Sequence, residues 1–150
     1  LARAGRRVVA YDNLSAGHRG AVRGADLVEA DLHDTDTFRR TVREYRVGAV
    51  MHFAALASVG DSVRDPSPYY RENLEGTLGI LRVLLEEHRA DIGVESVEIA
   101  AFLAAGTIVE MGARAVDTAP EWLGSPLFRA ELLRMLMRYL GAGGDRPSST

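Results

Sequence analysis

Apolar positions in the first half of the chain fall in short runs, separated by polar stretches that carry helical spacing. The runs are Val8 to Tyr11, Leu27 to Ala30 and Val47 to Phe53. Each predicts a strand. The third is nearly all apolar, as expected when both faces of a parallel sheet are covered. Between the second and third runs, Asp34 is placed to cap a helix from about Thr35 to Tyr45, with Phe38, Val42 and Tyr45 at helical spacing. Ser67 is placed to cap a longer helix with Pro68 at its first position. That helix is predicted to run to about His88 through LGILRVLL, which is apolar on most sides. Strand and helix alternate in this way in doubly wound α/β folds. The expected class is therefore α/β, an incomplete doubly wound, Rossmann-like parallel sheet followed by an α-helical carboxyl-terminal segment.

The pattern changes near Asp91. Val94 to Val116 reads as one alanine-rich helix. The phrase EWLGSP follows, with Ser125 as a cap and Pro126 in the first turn. Leu127 to Leu140 then reads as an amphipathic helix. Phe128, Leu132, Leu133, Leu136 and Leu140 form its apolar stripe, with Arg129, Glu131, Arg134 and Arg138 off it. The end of the chain is polar and rich in Gly, Pro and Ser. Three parts are expected: a partial nucleotide-binding domain over 1–90, a helical segment over 91–141 and a disordered tail over 142–150. The opening phrase LARAGRRVVAYD reads as a helix end passing through a Gly5 cap into a strand, so the chain is expected to start inside a fold.

Composition narrows the classes. The 150 residues suffice for one domain, and 47% hydrophobic content supports a core. A net charge of -3 gives no basic surface for tracking phosphates, so no nucleic-acid partner is expected. The absence of cysteine excludes a disulfide frame and a thiolate metal site, and fits a cytoplasmic protein. The longest apolar run, Ile99 to Val109, is shorter than the roughly 20 residues of a membrane span, so no membrane partner is expected. All 18 basic residues are arginine; there is no lysine.

The strand ends carry the candidate chemistry. Asp12 and Asn13 close the first strand. A carboxylate at that edge accepts both hydroxyls of an adenosine ribose and repels a 2′-phosphate, which favours NAD over NADP. The same pair also makes an ordinary turn. Asp31 and Leu32 close the second strand, where a carboxylate accepts the adenine amine and an apolar side chain packs on the ring. Alternatively, DLHDTD is a loop of helix-capping acids. A third reading, Asp31, His33, Asp34 and Asp36 as metal ligands, finds no second cluster to support it. Phe53, Ala54 and Ala55 close the third run, small enough to bring backbone to a pyrophosphate or simply to pack tightly. Asn73, with Gly76 three residues on and Tyr69 one turn before, is a polar amide on a buried helix and needs a partner, either cofactor or loop backbone. Gly17, Gly20 and Gly24 imitate a phosphate loop but follow the strand ending in Asp12. They read as a flexible connection, with the working loop outside this chain.

Taken together, YDNLSAGHRGAV, EADLHD and VMHFAALASVGDSVRDPSPYYRENLEGTL resemble the extended short-chain dehydrogenase/reductase family. Within it they resemble nucleotide-sugar epimerases of the UDP-glucose 4-epimerase type. The likeness covers about residues 1–90. It implies NAD as cofactor and UDP-glucose or UDP-galactose as substrate. It implies that Asp12, Asn13, Leu14, Ser15, Ala16 and Gly17 line the ribose, and that Asp31 and Leu32 meet adenine. Phe53, Ala54, Ala55, Leu56 and Ala57 would back the diphosphate and nicotinamide, with Asn73 in the same pocket. Family members often carry a base at the position of Ala57, which implies a weaker hold on the pyrophosphate here. The family's hydride-transfer chemistry uses a Tyr-x-x-x-Lys pair. Without lysine, Tyr11, Tyr45, Tyr69, Tyr70 and Tyr139 have no such partner, so no catalytic residue is assigned and no epimerase turnover is expected.

From about Gly93 onward the text departs from that pattern. VEIAAFLAAGTIVEMGARAV, PEWLGSP and FRAELLRMLMRYL resemble the carboxyl-terminal ligand and dimer helices of tetracycline-repressor-type regulators. The alternative to an epimerase fragment is thus a helical dimerisation module fused to an inert α/β remnant. An exposed Leu132/Leu136/Leu140 stripe would form an apolar patch, so a homodimer through the helices is expected.

Overall fold

Strand β1 (Val9–Asp12) and strand β2 (Asp26–Glu29) pair in parallel, Val9 opposite Asp26 and Asp12 opposite Glu29. The computed structural model that shows this describes residues 1–54 and 71–141. The ladder continues past the strands, with Asp26 N–H donating to Val8 O and Ala30 N–H to Asp12 O. Parallel neighbours need a crossover. Here the crossover contains a single 3₁₀ turn, Arg19–Ala21, and returns through Gly24 at φ 70. Gly17 and Gly20 lie in that connection, exposed, as a sequence-level connector should. Exposed ion pairs, Arg7 with Asp26 and Arg19 with Glu29, flank β2.

Helix α1 (Thr35–Glu44) starts where predicted, its cap Asp34 accepting from Thr37 N–H at 3.0 Å. Phe38, Thr41 and Val42 form its buried face. The Thr41 hydroxyl donates to Thr37 O, which satisfies the one polar group of that face. Tyr11 meets Phe38 edge-on, ring centroids 5.4 Å apart, and so joins sheet to helix. Tyr45 lies under the Arg7 guanidinium. The helix closes through Arg46 at φ 50, with Val47 N–H returning to Val42 O.

Val47 to Phe53 is not a strand. It runs irregular and exposed, with Met51 at 60% and Phe53 at 80% exposure. A strand exists only by its ladder, and among the described residues no segment pairs with this run in a ladder. Its apolar composition supplied the expectation without a neighbour to fulfil it.

A wide π-type turn, Arg71–Glu75, leads into α2 (Gly76–Glu87). The predicted cap at Ser67, with Pro68, Tyr69 and Tyr70, lies outside the described residues, as do Ala55, Leu56, Ala57 and the 142–150 tail. Ile80 and Val83 are buried. Gly76 and Gly79 bring the helix close to the exit of β2. A side chain at Gly76 would meet Leu32 at 3.6 Å, and one at Gly79 would meet Thr35 Cγ2 at 3.2 Å.

The chain divides into two compact units, Leu1–Val83 and Leu84 onward. In the second, α3 (Val97–Thr118) begins three residues later than its apolar text, because the Ser96 hydroxyl accepts from Ile99 N–H and sets the cap. Ala100, Ala101, Ala104, Ala105 and Ala115 are buried, while Ile99, Phe102, Val109 and Val116 are exposed. This helix is long and apolar enough, by length and composition, to cross a membrane, which the shorter run read from the sequence does not convey. A turn at Pro120–Gly124 leads to α4 (Pro126–Leu140), capped by Ser125. Of the predicted α4 stripe, Phe128, Leu132, Leu136 and Leu140 are half-buried. Leu133 stands 59% exposed, one residue round from the packed face. Gly141, left-handed at φ 67, packs on the Gly93 backbone, where Gly93 N–H donates to Leu140 O at 2.7 Å.

Candidate functional site at the carboxyl ends of the parallel strands

β1 delivers Asp12 to the carboxyl edge of the sheet, where the ladder stops and the side chain turns to local donors. Asp12 Oδ1 accepts from Leu14 N–H at 2.7 Å, and Asn13 Oδ1 accepts from Ser15 N–H at 3.1 Å. Two successive turns of this kind push Leu14 to φ 55. The Asp-Asn pair is thus a turn in its geometry, and its carboxylate also stands exposed at the strand end. Ser15, Ala16 and Gly17 follow as an exposed bend.

Asn13 does more than turn the chain. Its side-chain N–H₂ donates to Asp31 Oδ2 at 2.8 Å and ties the exit of β1 to the exit of β2. Asp31 Oδ1 accepts from His33 N–H at 2.9 Å, and the His33 ring lies with Nδ1 2.7 Å from the same oxygen. The His33 backbone N–H, then the Asn13 amide and the His33 ring, hold the Asp31 carboxyl down at about 2. Leu32 is half-buried against Gly76. Asp34 is committed to capping α1, and its hydrogen bonds from Thr37 hold its carboxyl below the usual carboxylate range. Among the described residues, no three His, Asp or Glu side chains stand together to hold a metal.

Tyr11 braces this corner from below. Alternation along the strand points it to the face opposite Asp12. Its hydroxyl donates to Asp31 O at 3.0 Å and lies 3.1 Å from Asp34 O. Burial, with the Asp34 and Asp31 charges adding, pushes its phenol up to about 12. That is opposite to the shift a catalytic phenolate needs.

On the α2 side, the Thr77 hydroxyl donates to Asn73 O at 2.6 Å, so its oxygen accepts from His52 Nε2, 2.9 Å away. Asn73 is half-buried within the π-type turn, a feature frequent at functional sites. The structure therefore links Asp12, Asn13, Leu14 and Ser15 with Asp31, links Leu32 with Gly76, and links His52 with Thr77 and Asn73. Phe53 and Ala54 extend exposed from His52. Tyr11, His33 and His52 carry much of this geometry; the sequence assigned no role to Tyr11 or His52 and offered His33 only as a metal ligand. His33 had a local signal, two residues after Asp31. The His52–Thr77 contact spans 25 positions and leaves none. In the second unit, a shallow open pocket of about 280 Å³ is lined by Val94, Glu95, Ser96, Ile99 and Tyr139, and the Ser96 hydroxyl there is taken up in capping α3.

Known proteins similar to this chain include UDP-glucose 4-epimerases. The UDP-glucose 4-epimerase of Rhizobium leguminosarum bv. trifolii is 42% identical over 81 residues, 54% of this chain and 25% of that protein. That of Azospirillum brasilense is 43% identical over 86 residues, 57% of this chain and 25% of that protein. The chain thus spans about a quarter of the length of these relatives. Among solved structures, the UDP-glucose 4-epimerase of Brucella ovis in complex with NAD superposes with a TM-score of 0.58 at 36% identity, covering 76% of this chain and 42% of that one. The enzyme of Thermotoga maritima with UDP-glucose gives 0.52 at 32% identity, covering 56% of this chain and 28% of that one. The fold is Rossmann-like, in keeping with the α/β class expected from the sequence. The NAD dependent epimerase/dehydratase family matches residues 1–122, four-fifths of the sequence, and the chain belongs to that family.

Proposed function

We propose that the chain carries the adenosine half of an NAD site of the nucleotide-sugar epimerase type, and that by itself it does not interconvert UDP-glucose and UDP-galactose. The observation that carries this is the Asn13 bridge. It holds two carboxylates, Asp12 and Asp31, at the carboxyl ends of adjacent parallel strands, where doubly wound folds bind nucleotides. Asp12 retains one oxygen, Oδ2, that takes no hydrogen bond from the described residues, an acceptor for ribose hydroxyls. Asp31 and Leu32 are set for adenine, and Leu14, Ser15, Ala16 and Gly17 border the ribose. Phe53, Ala54, Ala55, Leu56, Ala57 and Asn73 are assigned to the diphosphate and nicotinamide half.

When bound, NAD supplies a hydride acceptor for C4 of the sugar. The chain's own residues supply binding and orientation. A tyrosine base in such chemistry needs a cation to lower its pKa, and this sequence has no lysine to provide one. Tyr11, bonded to two carbonyls, is shifted away from that role. The same reading sets the protein in the cytoplasm.

Titration of the full chain with NAD, followed by NMR, tests the binding half. Saturable shifts at Asn13 and Asp31, with a Kd on the order of millimolar, are expected. No shift at those residues overturns it. Incubation with UDP-galactose and NAD tests the other half; turnover above a protein-free control overturns the claim of inactivity.

A second reading, self-association through the helices, draws on exposed side chains: Ile99, Phe102, Val109 and Val116 on α3, and Leu127, Leu133, Met135 and Met137 on α4. The resemblance of this half to regulator dimer domains belongs to that reading. Light scattering at rising concentration is expected to show a dimer; a monomer throughout counts against it.

A further inference from the structure

We propose that His33 is a positioning residue for base recognition, orienting the Asp31 carboxylate to accept the exocyclic amine of adenine. The proposal rests on the nucleotide reading above and adds to it the means by which Asp31 is aimed.

The terminal torsion of an aspartate is broad, so a carboxylate held at one point swivels. Asp31 is held at three. Its Oδ1 accepts the His33 backbone N–H at 2.9 Å and faces the His33 ring Nδ1 at 2.7 Å; its Oδ2 accepts the Asn13 amide at 2.8 Å. An acceptor-only carboxylate fixes the ring tautomer, with the proton on Nδ1. A carboxylate offers about four acceptor positions. Two donors occupy Oδ1 and one occupies Oδ2, which leaves one position on Oδ2. The Asp31 side chain is 46% exposed, so that position is reachable.

The three clamps differ in what they determine. The backbone N–H pins Oδ1 but leaves the plane of the group undefined. The Asn13 amide comes from another loop and holds Oδ2. The ring adds a second bond to Oδ1, and two donors on one carboxylate oxygen favour the plane of its lone pairs. Fixing the plane before a ligand arrives lowers what binding must order. A metal role for His33 finds no support, because no further ligands gather there among the described residues. Its backbone O accepts from Thr35 N–H at the start of α1, which anchors the residue to the helix.

The test uses the full chain and two nucleotides that differ at the amine: AMP, and IMP, where a carbonyl oxygen replaces it. Dissociation constants are measured by NMR titration for wild type, His33→Ala, His33→Asn and Asp31→Asn, with circular dichroism confirming that each is folded. Wild type is expected to prefer AMP. His33→Ala is expected to lower the AMP/IMP preference roughly three- to tenfold, with IMP affinity little changed. His33→Asn, whose amide N–H reaches the place of Nδ1, is expected to restore it. A purely structural role would weaken both nucleotides alike, and that result overturns the proposal. So does a preference unchanged in His33→Ala. If wild type binds neither nucleotide, the nucleotide reading itself is overturned.

Discussion

Asn13 and Asp31 lie 18 positions apart and are joined by one hydrogen bond, amide Nδ2 to carboxylate Oδ2 at 2.8 Å. That bond joins side chain to side chain across the exits of β1 and β2, beside the Tyr11 hydroxyl that reaches Asp31 O. The nucleotide site proposed for this corner depends on the two exits keeping their distance.

Removing the link is therefore informative. Asn13→Ala is expected to destabilise the first unit by about 1 kcal/mol, less than a buried charged hydrogen bond because water replaces the donor. Asn13→Asp is expected to cost more, since it sets a second carboxylate against Asp31. Urea unfolding reads both. Equal midpoints for wild type and Asn13→Ala would show that the bond does not form in solution.

Asp31 also predicts an acid limb. Its carboxyl is held at about 2 against an ordinary 3.8. A depressed pKa gives stability that is present above 3.8 and lost as pH falls through about 2. Carboxyl NMR titration of Asp31 is expected to show the low midpoint in wild type. In Asn13→Ala it is expected to move up, while the His33 backbone contribution remains. A wild-type midpoint near 3.8 would contradict the clamp.

At the alkaline end Tyr11 governs. Its phenol is pushed up to about 12 from 10, so the neutral form is favoured in the folded state. Its contribution is present below pH 10 and is lost as pH rises toward 12. Tyr11→Phe keeps the edge-on contact with Phe38 and removes the hydroxyl. It is expected to cost about 1 kcal/mol at neutral pH and to abolish this alkaline limb. Denaturant titrations at neutral and high pH measure both.

Gly76 and Gly79 should respond differently to alanine. Each substitution gains up to about 1 kcal/mol of helix propensity. At Gly76 the new methyl meets Leu32 at 3.6 Å, an ordinary contact, so Gly76→Ala is expected to be neutral or stabilising. At Gly79 it meets Thr35 Cγ2 at 3.2 Å, and Thr35 must shift. Gly79→Ala is expected to be the less stable of the two, and Gly79→Val clearly destabilised. Thermal melts rank the three; Gly79→Ala above Gly76→Ala would show that Thr35 yields freely.

Local chemistry made much of the fold legible. Asp34 and Ser125 announce their helices because a cap is a bond within a few residues, and both caps are made, whereas the Ser96 cap went unread and moved the start of α3. β1 and β2 were readable because their apolar runs end in acids and turn formers. Val47 to Phe53 was not, because apolar text states only that a segment should be covered, and coverage is decided elsewhere in the chain. Leu133 fell off its stripe for a related reason: helical spacing gives a face about a residue wide of the true contact. At the site, Asp12 and Asn13 were legible as residue types suited both to a turn and to a nucleotide. The Asn13–Asp31 and His52–Thr77 bonds were not, since contacts between distant segments leave no periodicity.

The pairing of β1 with β2 has a consequence for how the first unit holds together. Among the described residues each strand has one partner, so both are outer strands and alternate amides of each face away from the ladder. Two strands alone barely persist in water; Phe38 and Val42 of α1 must supply the backing. Inward amides such as Asp26 and Ala30 should then trade their hydrogens for deuterium only as fast as α1 peels away, which makes the helix the clock of the sheet.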